Sequence, residues 1–127
     1  MPLPDMIGMT VRDMSASLAF YRALGLDIPA GVDAEDHVEV TTPNGYRIAW
    51  DSEELMRGLD PAWREPVGQR MVLAFKCADA AEVDQTYARL IEAGYGGHTA
   101  PWDAFWGQRY AVVLDPDGNK VDLFAPL

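Results

Sequence analysis

Apolar and polar positions along the chain change period several times, and each change marks an element. Residues 6–11, "MIGMTV", are a short apolar-rich run that predicts a strand. From Asp13 the spacing turns helical: Met14, Leu18, Tyr21 and Leu24 recur at helix intervals, Asp13 suits the N-cap, and Gly25 suits the C-terminal stop. Residues 37–50, "HVEVTTPNGYRIAW", alternate instead. Val38 and Val40 oppose His37 and Glu39, an Asn44-Gly45 turn follows, and Tyr46, Ile48 and Trp50 share one face of a returning strand. Across "DSEELMRGLDPAWREPVGQ" the period dissolves, which predicts a linker with at most a short helix.

After the linker the order repeats. "RMVLAFKCAD" reads as a strand, and a helix opens at Asp79 with Val83, Tyr87, Leu90 and Ile91 on its apolar face and ends at Gly94. "GGHTAPW", "QRYAVVLD" and "NKVDLFA" read as strands, the last two joined by Pro116-Asp117-Gly118-Asn119. An offset of 66 residues sets Asp13 on Asp79, Tyr21 on Tyr87, Leu24 on Leu90 and Met6 on Val72. An offset of 73 sets Gly45 on Gly118, Ile48 on Val121 and Ala49 on Asp122. The matched order of elements predicts an α+β fold of two tandem βαβββ modules in one 127-residue domain: a first module over 5–51, a linker over 52–69 and a second module over 70–125.

Composition excludes several classes. With 49% hydrophobic and 24% charged residues the chain is an ordinary globular one, long enough to bury a core without a disulfide or structural metal. No apolar run approaches the roughly 20 residues that span a bilayer, and no basic stretch with an apolar core opens the chain, so a cytoplasmic protein is expected. A net charge of -10 disfavours nucleic acid and anionic membranes as partners and would attract a cationic ligand. The single cysteine, Cys77, lies in "MVLAFKCA" and is expected to be buried and inert.

"TVRDMSASLAFYRALGL" opening the first module and "WGQRYAVVLDPDGNKVDLF" closing the second strongly resemble the vicinal oxygen chelate superfamily, which includes glyoxalase I, extradiol dioxygenases, fosfomycin-inactivating enzymes and bleomycin resistance proteins. The resemblance covers essentially the whole chain and is specific to the fold, whereas one fold hosts many chemistries. It implies that each module curls its sheet into a half-barrel, and that metal-dependent members draw ligands from inward positions on the first and last strands. Those positions correspond to Met6, Ala49, Val72 and Asp122. Only Asp122 offers an oxygen donor; a thioether suits soft ions, and Val and Ala offer nothing. His37 and His98 stand outside these slots, so neither a metal nor another cofactor is expected.

Without a metal, the resemblance to bleomycin resistance proteins implies a homodimer whose crevices hold a flat, cationic small molecule. Such a site needs aromatic faces and acidic groups. "PWDAFWGQRY" places Trp102, Phe105, Trp106 and Tyr110 within nine positions, with Asp103 and Arg109 among them; Trp50 closes the equivalent region of the first module, and Asp122 follows. These eight residues are the candidate ligand-binding set. The same aromatics could equally fill the core or a dimer interface, and Arg109 could pair with a ligand carboxylate, with Asp103 or with Asp115. The expected function is metal-independent sequestration of an aromatic compound, as in antibiotic resistance. The alternative is a metal-dependent lyase, isomerase or dioxygenase of the same superfamily, with Asp122 as ligand or base.

Overall fold

A computed structural model describes all residues 1–127. It has seven strands in two sheets and three helices, and divides into two compact units, residues 1–65 and 66–127. No helix is long and apolar enough to cross a membrane.

In the first unit β1 (Met6–Val11) leads into α1 (Met14–Leu24), where the Asp13 carboxylate accepts from Ala16 N and Gly25, at φ 124°, closes the last turn. The hairpin strands β2 (His37–Thr41) and β3 (Arg47–Ser52) complete a sheet of order β1-β3-β2, with β1 parallel and β2 antiparallel to β3. Residues 26–36, between α1 and β2, form no strand, so this module carries three of its four expected strands. Arg22 supplies the physical reason. It donates to the carbonyls of Ile28 and Pro29 and pairs with Asp33 at 2.8 Å, so those backbone acceptors are met by a side chain. Ser52 then caps α2 (Glu53–Leu59), the short helix within the expected linker, and Arg12 pairs with Glu65 at 2.5 Å.

The second unit has the full order. β4 (Leu73–Lys76) precedes α3 (Ala80–Glu92), capped by Asp79, and β5 (Gly97–Ala104), β6 (Gln108–Leu114) and β7 (Lys120–Pro126) complete a sheet of order β4-β7-β6-β5. β4 is shorter than the apolar run suggests. The Gln69 side-chain amide exchanges both hydrogen bonds with the Lys120 backbone, at 3.1 and 2.7 Å, and so does the pairing a further strand residue would do. Pro101 is accommodated because β5 is an edge strand with register shifts between Gly97 and Trp102. Cys77 is buried, and desolvation pushes its thiol pKa up, as befits an inert residue.

Sheet register reproduces the internal repeat. Gly8 pairs with Ala49 in the first unit and Ala74 with Asp122 in the second, positions related by the offsets of 66 and 73. All three hairpins turn on three residues ending in a glycine of positive φ: Pro43-Asn44-Gly45, Phe105-Trp106-Gly107 and Pro116-Asp117-Gly118, with φ of 85°, 92° and 81° at the glycines. The last is braced by Asp115, 5% exposed, whose carboxylate accepts from the backbone N–H of Asp117 and Asn119 and from the Asn119 amide at 2.8–3.0 Å. Asp115→Ala leaves those donors unmet and should cost about 1–3 kcal/mol in urea denaturation, with Asp115→Asn costing less because an acceptor remains.

Candidate functional site

The second sheet has two unlike faces, sorted by the alternation of its strands. Ala111, Val113, Val121, Leu123 and Ala125 are buried on the face that carries α3, whose Val83 and Leu90 are fully enclosed. The intervening residues point the other way. Register places Trp102 opposite Tyr110, Tyr110 opposite Phe124 and Phe124 beside Lys76, a single row across all four strands. The next row sets Val112 opposite Asp122 and Asp122 beside Ala74.

Aromatic rings gather at the β5 end of this face. Trp106, at the tip of the β5–β6 turn, stands edge-on to three rings, with centroid distances of 4.9 Å to Phe105, 5.2 Å to Tyr110 and 5.5 Å to Trp102. Gly107 makes this possible, since its positive φ folds the turn back and its N–H bonds the Ala104 carbonyl at 3.0 Å. The Trp106 indole N–H donates to Gln108 at 2.8 Å, which fixes the ring plane. Trp102, Trp106 and Phe105 remain 38%, 47% and 91% exposed, so their faces are open. Tyr110 links the rings to charge. Partial burial and then its hydrogen bond to the Asp122 carboxylate push the phenol pKa up to about 12, so the hydroxyl stays protonated and donates to Asp122.

Five of the eight expected site residues are therefore together: Trp102, Phe105, Trp106, Tyr110 and Asp122. Three are not. Trp50 is fully buried in the first unit, its ring 5.4 Å from that of Tyr21 on α1, so it lines no open crevice there. Asp103 and Arg109 sit opposite each other on the helix side of β5 and β6. Arg109 binds Asp84 of α3 through Nε and Nη2, at 2.8 and 3.2 Å, and Asp103 at 3.1 Å. A guanidinium held by two carboxylates ties α3 to the sheet. The sequence reading missed Phe124, which stands two positions beyond Asp122 on the same strand and the same face. Alternation on β7 is the signal that finds it.

A protein-family model for the glyoxalase/bleomycin resistance protein/dioxygenase superfamily matches residues 4–123. The chain belongs to that superfamily. Solved structures agree in fold. A glyoxalase/bleomycin resistance protein/dioxygenase family enzyme from Burkholderia phytofirmans PsJN superposes with a TM-score of 0.80 at 24% identity, covering 97% of this chain and 98% of that one. A glyoxalase/bleomycin resistance protein/dioxygenase from Nocardioides gives 0.77 at 26% identity, over 100% and 85%. A lactoylglutathione lyase from Agrobacterium tumefaciens gives 0.72 at 20% identity, over 95% and 91%, which speaks to fold alone. Among proteins of curated function, none matches in sequence.

The metal that the superfamily's enzymes imply does not fit the donors present at the matching positions. Met6 is 42% exposed with its sulfur 3.3 Å from Arg47, Ala49 is enclosed, and Val72 precedes β4 at 48% exposure. Asp122 alone has an oxygen to give, and no three His, Cys, Asp or Glu side chains are grouped to hold an ion. Superfamily membership therefore fixes the fold here without fixing a metal chemistry.

Proposed function

We propose that the protein is a metal-independent binder of a flat aromatic compound, held on the face of the second sheet away from α3 and cationic where it meets Asp122. The observation that carries this reading is the conjunction on one face of three partly exposed rings around Trp106 and a carboxylate. Rings standing edge-on to one another leave π-faces for a planar guest, and each stacking contact contributes about 0.5–1.5 kcal/mol beyond area burial. Asp122 adds a charge-assisted hydrogen bond to a protonated nitrogen. Sequestration of this kind needs no bond to be made or broken, as in the resistance proteins of the superfamily.

Titration with a planar aromatic cation such as proflavine, followed by tryptophan fluorescence, tests it. The parent should bind, and Trp106→Ala should bind about tenfold more weakly, because one substitution removes the ring that orders the other three. Equal affinity in parent and variant would count against the site. The competing reading, a metal-dependent lyase, isomerase or dioxygenase, draws on the names of relatives such as the lactoylglutathione lyase. Stoichiometric zinc, nickel, iron or manganese in protein purified without chelator would favour it.

A further inference from the structure

The first unit holds a charged patch that has no part in the reading above. On the sheet face away from Trp50, register sets His37 opposite Asp51, Glu39 opposite Ala49 and Thr41 opposite Arg47, with Gly8 beside Ala49. His37 Nδ1 lies 2.5 Å from Asp51 Oδ1, and Nε2 lies 3.1 Å from Glu39 Oε2. The other oxygen of Glu39, Oε1, is 3.3 Å from Arg47 Nη1. One carboxylate thus bridges an imidazole and a guanidinium, one oxygen to each.

Arg47 is poorly served by its partners. Arg109 grips Asp84 through two N–H groups, the shorter contact 2.8 Å, and Arg22 grips Asp33 in the same way. Arg47 instead has single contacts, each 3.3 Å, to the Glu39 carboxylate, to the Met6 thioether and, as an ion pair without a hydrogen bond, to Asp5. Its Nε is enclosed without a hydrogen bond, the Asp5 carboxylate standing at 3.3 Å outside bonding geometry. Guanidinium donor capacity is therefore left over. His37 is a donor as well: hydrogen bonds to Asp51 and then Glu39 raise its pKa, which favours the imidazolium with hydrogen on both nitrogens.

We infer that His37 and Arg47 form a binding site for the carboxylate of a small organic acid, which Glu39 fills from within as an exchangeable stand-in. Three observations shape the inference. The occupant is planar and gives one oxygen to each donor, which a carboxylate reproduces. Glu39 is 39% exposed and its carboxylate has only these two contacts, so turning outward exchanges them for water. The strand floor between Arg47 and Asp51 is small: Gly8 is exposed, and a Cβ there would meet only Asp51 Oδ2, at 3.9 Å. A metal ion is the wrong guest, because Asp51 and Glu39 bind opposite nitrogens of one ring and do not converge. Asp51 instead orients the imidazole, and the guest takes over the two donors that Glu39 releases to water.

Acetate, which has no ring to engage the second sheet, is the probe, titrated at pH 6 and low salt while the imidazole resonances of His37 are followed by NMR. Glu39→Gln should bind acetate about tenfold more tightly than the parent, since a neutral amide competes less well for two cationic donors. Adding Arg47→Met to Glu39→Gln should abolish the response, while Trp106→Ala should leave it unchanged. Three results overturn the inference: acetate binding no tighter in Glu39→Gln than in the parent, titration without movement of the His37 signals, or inorganic phosphate binding as tightly as acetate. Failure here leaves the aromatic face of the second unit untouched, because the two sites share no residue.

Discussion

Trp50→Ala should destabilise the protein by about 3–5 kcal/mol, the range for truncating an enclosed tryptophan. The ring has no exposed surface and lies between α1 and β3, with Tyr21 against it and Met9 and Val38 beside it on the neighbouring strands. Surrounding backbone belongs to a sheet and a helix, which cannot collapse into the void. Urea denaturation followed by far-UV circular dichroism should show a lower midpoint with an unchanged slope. Trp50→Phe refines the expectation. The indole N–H of Trp50 is buried without a partner, so part of its burial is uncompensated. Phenylalanine keeps an aromatic ring against Tyr21 and removes that donor, and should cost about 1–2 kcal/mol. A Trp50→Ala protein as stable as the parent would mean that the ring is not part of the first unit's core. Affinity of the folded variant for a planar cation should be unchanged, which separates this tryptophan from Trp102 and Trp106.

The same residue shows how far the sequence can be read. Elements, caps and the internal repeat were legible because each depends on local spacing: Asp13 and Asp79 do cap their helices, and the offsets of 66 and 73 do coincide with sheet register. Side-chain direction was legible too, but only by carrying alternation through. Once Ala49 is aligned with Asp122, its neighbour Trp50 must point to the opposite face, as Leu123 does beside Asp122. The parity that enclosed Trp50 also turned Arg109 toward α3 and left Tyr110 on the side away from it.

Turn length was less accessible. A two-residue Asn44-Gly45 turn would set His37 opposite Ser52, whereas the observed three-residue turn sets it opposite Asp51. One residue of loop thus decides whether His37 meets a hydroxyl or a carboxylate, and composition alone cannot choose. The fourth strand expected in the first module failed for a different reason. Its backbone acceptors were taken by Arg22, a side-chain choice reaching six and seven residues ahead that no periodicity announces.

Asp122→Asn should weaken binding of a planar aromatic cation by about ten- to a hundredfold, the effect of exchanging a charge-assisted hydrogen bond for a neutral one beside a desolvated ring. It should also change Tyr110. Burial is the larger cause of the phenol's elevated pKa of about 12, and the hydrogen bond to Asp122 and its negative charge are the rest. The substitution therefore lowers the Tyr110 pKa without returning it to the ordinary value near 10. The sign follows from proton linkage: the folded state holds this proton more tightly than the unfolded chain does. Its contribution to stability is complete below pH 10 and disappears as the pH climbs through about 12. In Asp122→Asn the window narrows from its upper edge, and the alkaline loss of stability attributable to Tyr110 becomes smaller. Ultraviolet titration of the parent, the variant and Tyr110→Phe isolates this one phenol from the other four tyrosines. Proflavine titration of the same three proteins reads the charge directly. A lowered phenol pKa with undiminished affinity would make Asp122 a positioning partner of Tyr110 and remove the cation from the proposed ligand, whereas loss of both assigns the carboxylate to the guest.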